Sequence, residues 1–385
     1  MNVPKLRFKE FNDNWKSYKL SDLVEFFKGN LLAKSDLDDN GKYPCILYGQ
    51  LYTKYKEVIR IIESKTNRDE KNIPRSKKGD VLIPSSGETP IDISTSSCIQ
   101  SDNVLLGGDI NILRPINCDG RFLSYTINNN KKTEIARVAQ GHSVVHLYID
   151  NLKYVSINVP SIKEQNKIAD ALELLDKKIE LQNKKIEDLK LFKLYTKNQI
   201  FKDYDEIFKL KDILVKWNKK NKNNSVKYVE SISNKYGFIS QSDQFEDRNV
   251  ASKDLNNYYI IEKGVFGYNP SRLNVGSLAL KTDDKASVVS PLYECFTTSQ
   301  NNQYLLEWFD SKYFRKETIS KFEGGVRNTL NFSNLCEIEI GLPTIEKQNK
   351  YSKIFKTFNN KIEFEVKKLY KLHELKKGLM QSMFV

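Results

Sequence analysis

The chain has 385 residues, 39% of them hydrophobic and 29% charged, with a formal net charge of +13. That length exceeds one ordinary core and predicts two domains with connecting helices. The charged start MNVPKLRFKE and the lack of any apolar run near the roughly 20 residues of a membrane helix exclude a signal peptide and a span, and predict a cytoplasmic protein.

The cysteines, Cys45, Cys98, Cys118, Cys295 and Cys336, are odd in number and show no C-x-x-C spacing, which argues against a disulfide framework or a zinc knuckle. A basic chain invites a nucleic-acid reading, because cations displace counterions from phosphates. The distribution of charge tempers it: residues 1–160 carry +4, 161–200 +2, 201–343 +1 and 344–385 +6, together the full +13. Only 11 of the 62 basic residues are arginine.

In chain order, the opening YKLSDL at Tyr18 leads into short β-rich runs, GDVLIP after Lys78-Gly79 and then NVLLGGDINILRP, separated by turn residues. GRFLSYTINNNKKTEIARVA has helical spacing, GHSVVHLYI looks extended, and YVSINVP is a strand that stops at Pro160. Ser161 can then cap a long helix whose apolar residues Ile168, Leu172, Leu175, Ile179, Ile186 and Leu189 follow alternating steps of four and three, a coiled-coil seam. The pattern then starts again. FKLKDI at Phe208, the Asn-rich KWNKKNKNNSVKY, YYIIEKGVFGYNP after a second Lys-Gly pair, SVVSPLYECF, helical QYLLEWFDSKYFRKETISKF and the strand EIEIGLP lead to Thr344 and a second long helix. Its seam is Tyr351, Phe355, Phe358, Ile362, Leu369 and Leu372, and both seams are broken at one place, Gln182 and Glu365, where a polar layer sets register.

The two helical segments match without a gap at a constant offset of 183, from Val159 against Leu342 to Ile200-Phe201 against Met383-Phe384. Pro160 answers Pro343, and Gln165-Asn166 answers Gln348-Asn349. The division that follows is a globular block at 1–160, a helix at 161–201, a second block at 202–343 and a second helix at 344–385. A 40-residue helix is about 60 Å long, whereas a domain of the intervening size has a radius of gyration of roughly 14 Å and termini that are often close. The second helix should therefore run back along the first. The expected fold is mixed α/β: two globular α/β domains and two long antiparallel coiled-coil helices, with pseudo-two-fold symmetry.

A glycine turn, a strand ending in Pro, a P-x-x-x-x-Q helix start and a long heptad helix, all repeated after a second variable domain, resemble the specificity subunits of type I restriction-modification systems. The likeness covers essentially the whole chain. One departure is that Glu164 precedes the first Gln whereas Lys347 precedes the second. The resemblance implies two target-recognition domains that each read one half of an asymmetric, bipartite site on double-stranded DNA, with the helices as spacer. It implies methyltransferase subunits, two of them, docking around Gln165, Asn166, Gln348 and Asn349, and restriction-translocase subunits beyond these. It also implies a non-catalytic chain without a cofactor, S-adenosylmethionine, ATP and Mg being carried by the partners. A coiled-coil scaffold whose globular ends bind other proteins is the competing reading, which salt-sensitive retention of duplex DNA would separate.

Candidate DNA-binding residues are basic or amide side chains in loop-like surroundings. Lys216, Lys219 and Lys220 head the Asn-rich stretch; Arg75 stands beside Lys77 and Lys78; Asn269, Ser271 and Arg272 form a turn; Arg327 follows two glycines. A solvated charge run or an ion pair on the protein's own surface is the plainer account of each. His142 and His146 stand four apart but have no third ligand nearby, so a structural role is expected. No phosphate loop, strand-bound G-x-G-x-x-G or G-x-S-x-G elbow is present, and Tyr268-Asn269-Pro270-Ser271 lacks the second proline of an N-P-P-Y-type methyltransferase motif.

Overall fold

A computed structural model describes residues 3–141, 144–233, 237–241, 254–319 and 329–385, and contains two compact units, residues 1–183 with 367–385 and residues 184–366. Both boundaries fall inside long helices rather than at the ends of the globular blocks. Each unit thus holds a globular α/β domain and one stretch of each helix. His142 and Arg327 lie outside the described residues.

In the first unit, β1 (Lys16–Lys19) leads to β2 (Val24–Lys28), β3 (Val58–Ile59), β4 (Val81–Pro84), β5 (Ser97–Ile99) and β6 (Ile110–Pro115). Then come α1 (Gly120–Thr126), β7 (Ser156–Val159) and the 39-residue α2 (Ile162–Ile200). The main sheet has the order β2-β6-β4-β5-β3. Strand alternation sends side chains to opposite faces. Val81, Ile83 and Leu113 therefore join a core with Phe122, Ile168 and Leu172, while Leu82, Ile110 and Ile112 join another with Ile46, Leu51 and Ile59. The first of these cores faces the helices and includes Met380, Met383 and Phe384 from the far end of the chain.

The second unit repeats this plan with a smaller sheet. Its strands are β8 (Glu206–Lys209), β9 (Leu214–Lys216), β10 (Phe266–Tyr268), β11 (Leu278–Leu280) and β12 (Glu294–Thr298), followed by α3 (Asn302–Phe309), β13 (Glu339–Leu342) and α4 (Ile345–Met383). The sheet order is β9-β12-β10-β11. Phe266, Tyr268 and Phe296 pack with Tyr304, Trp308 and Phe355, and Phe266 stacks on Phe296 at 5.0 Å.

Two small antiparallel pairs close the domains. β1 lies on β7 with Lys16 opposite Val159, and β8 lies on β13 with Glu206 opposite Leu342. Each domain's first strand is thereby tied to its last, just before the long helix begins, so the termini of each domain are adjacent. The echo between YKLSDL and FKLKDI marks the ends of the equivalent strands β1 and β8. The two Lys-Gly turns are equivalent as well, since Gly79 and Gly264 both sit at positive φ, 95° and 91°, where a side chain is strained. Gly120, at the start of α1, packs so closely on that turn that a Cβ would stand 2.0 Å from the Gly79 carbonyl oxygen.

In both units the two helix stretches run antiparallel. In the second, Lys185 pairs with Glu365 at 2.5 Å and Phe192 meets Phe358 at 5.5 Å, so partners recede on one helix as they advance on the other. In the first, Asp176 pairs with Lys376 while Ile168 and Leu172 share a core with Met380 and Met383. The interrupting residues Gln182 and Glu365 are both buried, as a polar layer requires. The first seam is buried from Ile168 to Ile186; in the second only Phe355 is fully enclosed.

Candidate DNA interface and helix junctions

The Asn-rich stretch of the second domain folds around one inner residue. Asn221 is buried, and its side chain accepts from the Val226 amide at 2.9 Å and donates to the Val226 carbonyl at 2.8 Å. Asn223 and Asn224 take positive φ, 61° and 49°, which asparagine tolerates better than most residues. Trp217 donates to the Ile260 carbonyl at 2.7 Å and packs inward, so it is no stacking platform. Lys216 pairs with Glu294 at 3.1 Å and Lys219 with Glu262 at 2.5 Å, so part of this basic run is engaged on its own surface. Lys220, Lys222 and Lys227 are exposed, and no ion pair holds them among the described residues. Lys285, absent from the sequence-based candidates, stands over the ring of Tyr228 at 3.3 Å and extends the same basic edge.

The turn at 269–272 divides similarly. Asn269 caps a short 3₁₀ helix, Pro270–Val275, accepting from the Ser271 amide at 3.0 Å. Ser271 and Arg272 are exposed, and Arg272 makes no ion pair among the described residues. In the first domain Arg75 is paired with Asp69, donates to the Asn103 carbonyl at 3.3 Å and lies over Tyr43. Lys77 and Lys78 point outward from a turn held by their own amides, which donate to Asp80 and Asp102 at 2.8 Å each. The outward-facing set is therefore Lys77, Lys78, Lys220, Ser271 and Arg272, with Lys222, Lys227 and Lys285 added. His146 stacks on Tyr148 at 6.1 Å, and no group of metal ligands occurs among the described residues.

The residues expected at the partner surface separate by depth. Gln165 and Gln348 are only 2% and 1% exposed. Gln165 donates to the Pro160 carbonyl at 2.9 Å and accepts from the Asp119 amide at 3.0 Å; Gln348 donates to Pro343 at 2.9 Å and accepts from the Asn301 amide at 3.1 Å. Asp119 and Asn301 are the N-caps of α1 and α3. Each glutamine thus staples the domain's own helix to the start of the long helix, which makes it an internal fastener, whereas Asn166 and Asn349 remain exposed. The departure at the preceding position has a physical reason. Glu164 is buried against Arg7 at 2.7 Å, while Lys347 pairs with Asp205 at 3.1 Å and Asp203 at 3.3 Å. The same tether is built with its charges reversed.

Sequence reasoning misses a second fastener, although the offset of 183 that pairs Lys193 with Lys376 was its signal. Lys376 lies 2.7 Å from Asp176 and 3.0 Å from Glu57, and Tyr125 of α1 donates to Asp176 at 2.6 Å. Burial pushes the Lys376 ammonium down, yet Glu57 and Asp176 hold it above the ordinary lysine value. In the second unit Lys193 lies 2.8 Å from Glu307 of α3 and 2.8 Å from Asn359, which in turn donates to Glu307 at 3.1 Å. Burial pushes Glu307 up, but Lys193 and Lys197 keep its carboxyl below the ordinary range. The exposed helix surface repeats too: Leu181 answers Phe364 and Phe192 answers Leu375, and all four stand more than half exposed, from 51% to 65%.

Each unit therefore has an α/β domain fastened to a long helix, with basic side chains facing outward from its loops. Residues 12–191 match the family model for the type I restriction modification DNA specificity domain. The chain is 24% identical over 315 residues to a type I specificity subunit of Mycoplasma pneumoniae, covering 80% of this chain and 72% of that one. It is 23% identical to the MjaVIII specificity subunit of Methanocaldococcus jannaschii, across 98% of this chain and 94% of that one. The crystal structure of the S subunit of a type I restriction-modification system from M. genitalium superposes with a TM-score of 0.65 at 17% identity, covering 100% and 99% of the two chains. Residues 12–191 thus carry the type I restriction modification DNA specificity domain, and along its length the chain is similar to the specificity subunits of type I restriction-modification systems.

Proposed function

We propose that the two domains each read one half of an asymmetric, bipartite DNA site, and that the paired helices set the gap between the halves while docking two methyltransferase subunits. The observation that carries this reading is the doubled unit: equivalent strands, turns and fasteners support loops that differ in sequence, so two similar frames offer two unlike surfaces. A 39-residue helix is about 58 Å long, more than one DNA turn of about 34 Å, so the spacer suits separated half-sites. The matched apolar pairs Leu181 with Phe364 and Phe192 with Leu375 give equivalent places for one kind of partner, in addition to the exposed Asn166 and Asn349. Restriction-translocase subunits join through that assembly, and S-adenosylmethionine, ATP and Mg belong to the partners in this reading. The working place is the cytoplasm, where DNA and reduced cysteines are found together.

Exchanging residues 1–160 for those of a relative with a different site should change one half of the methylated motif and leave the other intact, as read by sequencing methylated DNA. Altered bases in both halves would sink the modular reading. The basic edge makes its own prediction. Replacing Lys220, Lys222 and Lys227 by alanine should weaken duplex binding across all sequences and flatten the dependence of log K on log salt by about 0.9 for each phosphate no longer neutralised. Arg272→Ala, if it reads a base, should instead relax preference at one position by about 1–3 kcal/mol.

A further inference from the structure

Each domain is fastened to its helices at two separate points of different chemistry. One is the buried glutamine, which ties the N-cap of the domain's own helix to the proline that starts the long helix following it. The other is the lysine junction, and its lysine comes from the other long helix: Lys376 of α4 in the first unit and Lys193 of α2 in the second. A single point of attachment would leave a pivot. Two points, one on each helix, remove it.

The pairings are equivalent along the repeat: the domain supplies a carboxylate to the lysine in both units, Glu57 in the first and Glu307 in the second, while the helix position that carries Asp176 in the first carries Asn359 in the second. Loss of the helix carboxylate with retention of the junction is what a constraint on geometry, rather than on a particular residue, leaves behind.

We infer that Gln165 with Lys376, and Gln348 with Lys193, are positioning residues for DNA specificity, setting the angle at which each domain sits on the helix pair and so the gap accepted between half-sites. This rests on the spacer reading proposed above. The lever is short: rocking by about 10° about a fastener roughly 20 Å from the reading loops moves them about 3.4 Å, one base pair. A loosened seat leaves the loops themselves unchanged, so the bases read in each half stay the same while neighbouring gap lengths become acceptable.

The test uses the full chain in complex with its methyltransferase subunit and a random-sequence duplex library, whose bound fraction is sequenced. The wild-type complex should return two half motifs at one gap. Gln348→Ala and Lys193→Met should return the same half motifs with the preference for that gap over gaps one base pair shorter or longer reduced about tenfold, and Lys193→Arg should restore it. If Lys193→Met does not fold, Ser352→Ala carries the test, because it removes the 2.6 Å bond from the Ser352 hydroxyl to the Asn301 side chain at the same clamp and changes the packing little. Lower thermal stability or weaker overall retention with the gap preference unchanged would overturn the inference and assign these residues to stability alone. A wild-type pool without a fixed gap would remove the spacer reading, and the inference with it.

Discussion

Removing Gln381–Val385 should unfold the first domain, although these residues lie more than 200 positions from the end of that domain in sequence. Met383 and Phe384 are buried in the first core, and Phe384 stacks on Phe122 at 5.5 Å. Asn130 donates to the Val385 carbonyl at 2.8 Å, and the Leu6 amide donates to Ser382 at 2.8 Å. Deleting two large buried side chains costs roughly 1.5–3 kcal/mol each in lost burial, with a further cost for the cavity. A total of about 5 kcal/mol or more is the whole stability of many domains. The expected result in calorimetry is loss or a steep downward shift of one transition, with the transition of the second unit retained, because that unit is closed by Ile200 and Phe201 instead. A first transition that persisted unshifted would contradict the assignment of the tail to this core.

Inserting one heptad into each long helix, after Gln182 and after Glu365, should widen the gap between half-sites by about three base pairs. Seven residues add about 10 Å at 1.5 Å each, against roughly 3.4 Å per base pair, and they nearly complete two turns, so the seam keeps its face. Inserting the heptad into one helix only should instead destabilise the pair, because Lys185 and Glu365 then lose register. Selection from a random duplex library reads both outcomes. Half motifs at an unchanged gap after the double insertion would falsify the spacer role.

Much of the architecture was legible from sequence because it is local or periodic. The seam from Ile168 to Ile186, the prolines at 160 and 343 and the Lys-Gly turns each depend on a few neighbouring residues, and the repeat of all of them at one offset identifies the tandem. The smaller elements were harder to place. The described part of QYLLEWFDSKYFRKETISKF holds two helices, Asn302–Phe309 and Lys312–Ile319, broken at Asp310-Ser311, and the stretch after Thr126 passes through a π-helical turn before α-helix resumes. Backbone hydrogen bonding there answers to packing, which propensity does not contain.

The site was less legible than the frame. Gln165 and Gln348 stand out in the sequence because they recur, and recurrence suggests a shared partner. It marks shared geometry equally well, and the partner of each glutamine is the amide of an N-cap some 46 or 47 residues earlier. The basic candidates show the same limit. Lys216 and Lys220 are indistinguishable as letters, yet one has Glu294 brought beside it by a neighbouring strand while the other faces outward. Sequence alone therefore determined the tandem order, the helical seams and the family resemblance, since these are set by spacing along the chain. Only the tertiary structure decided which polar side chains are fasteners and which face outward, because a charge is neutralised by whatever the fold carries to within about 4 Å of it, and that distance is not written along the chain.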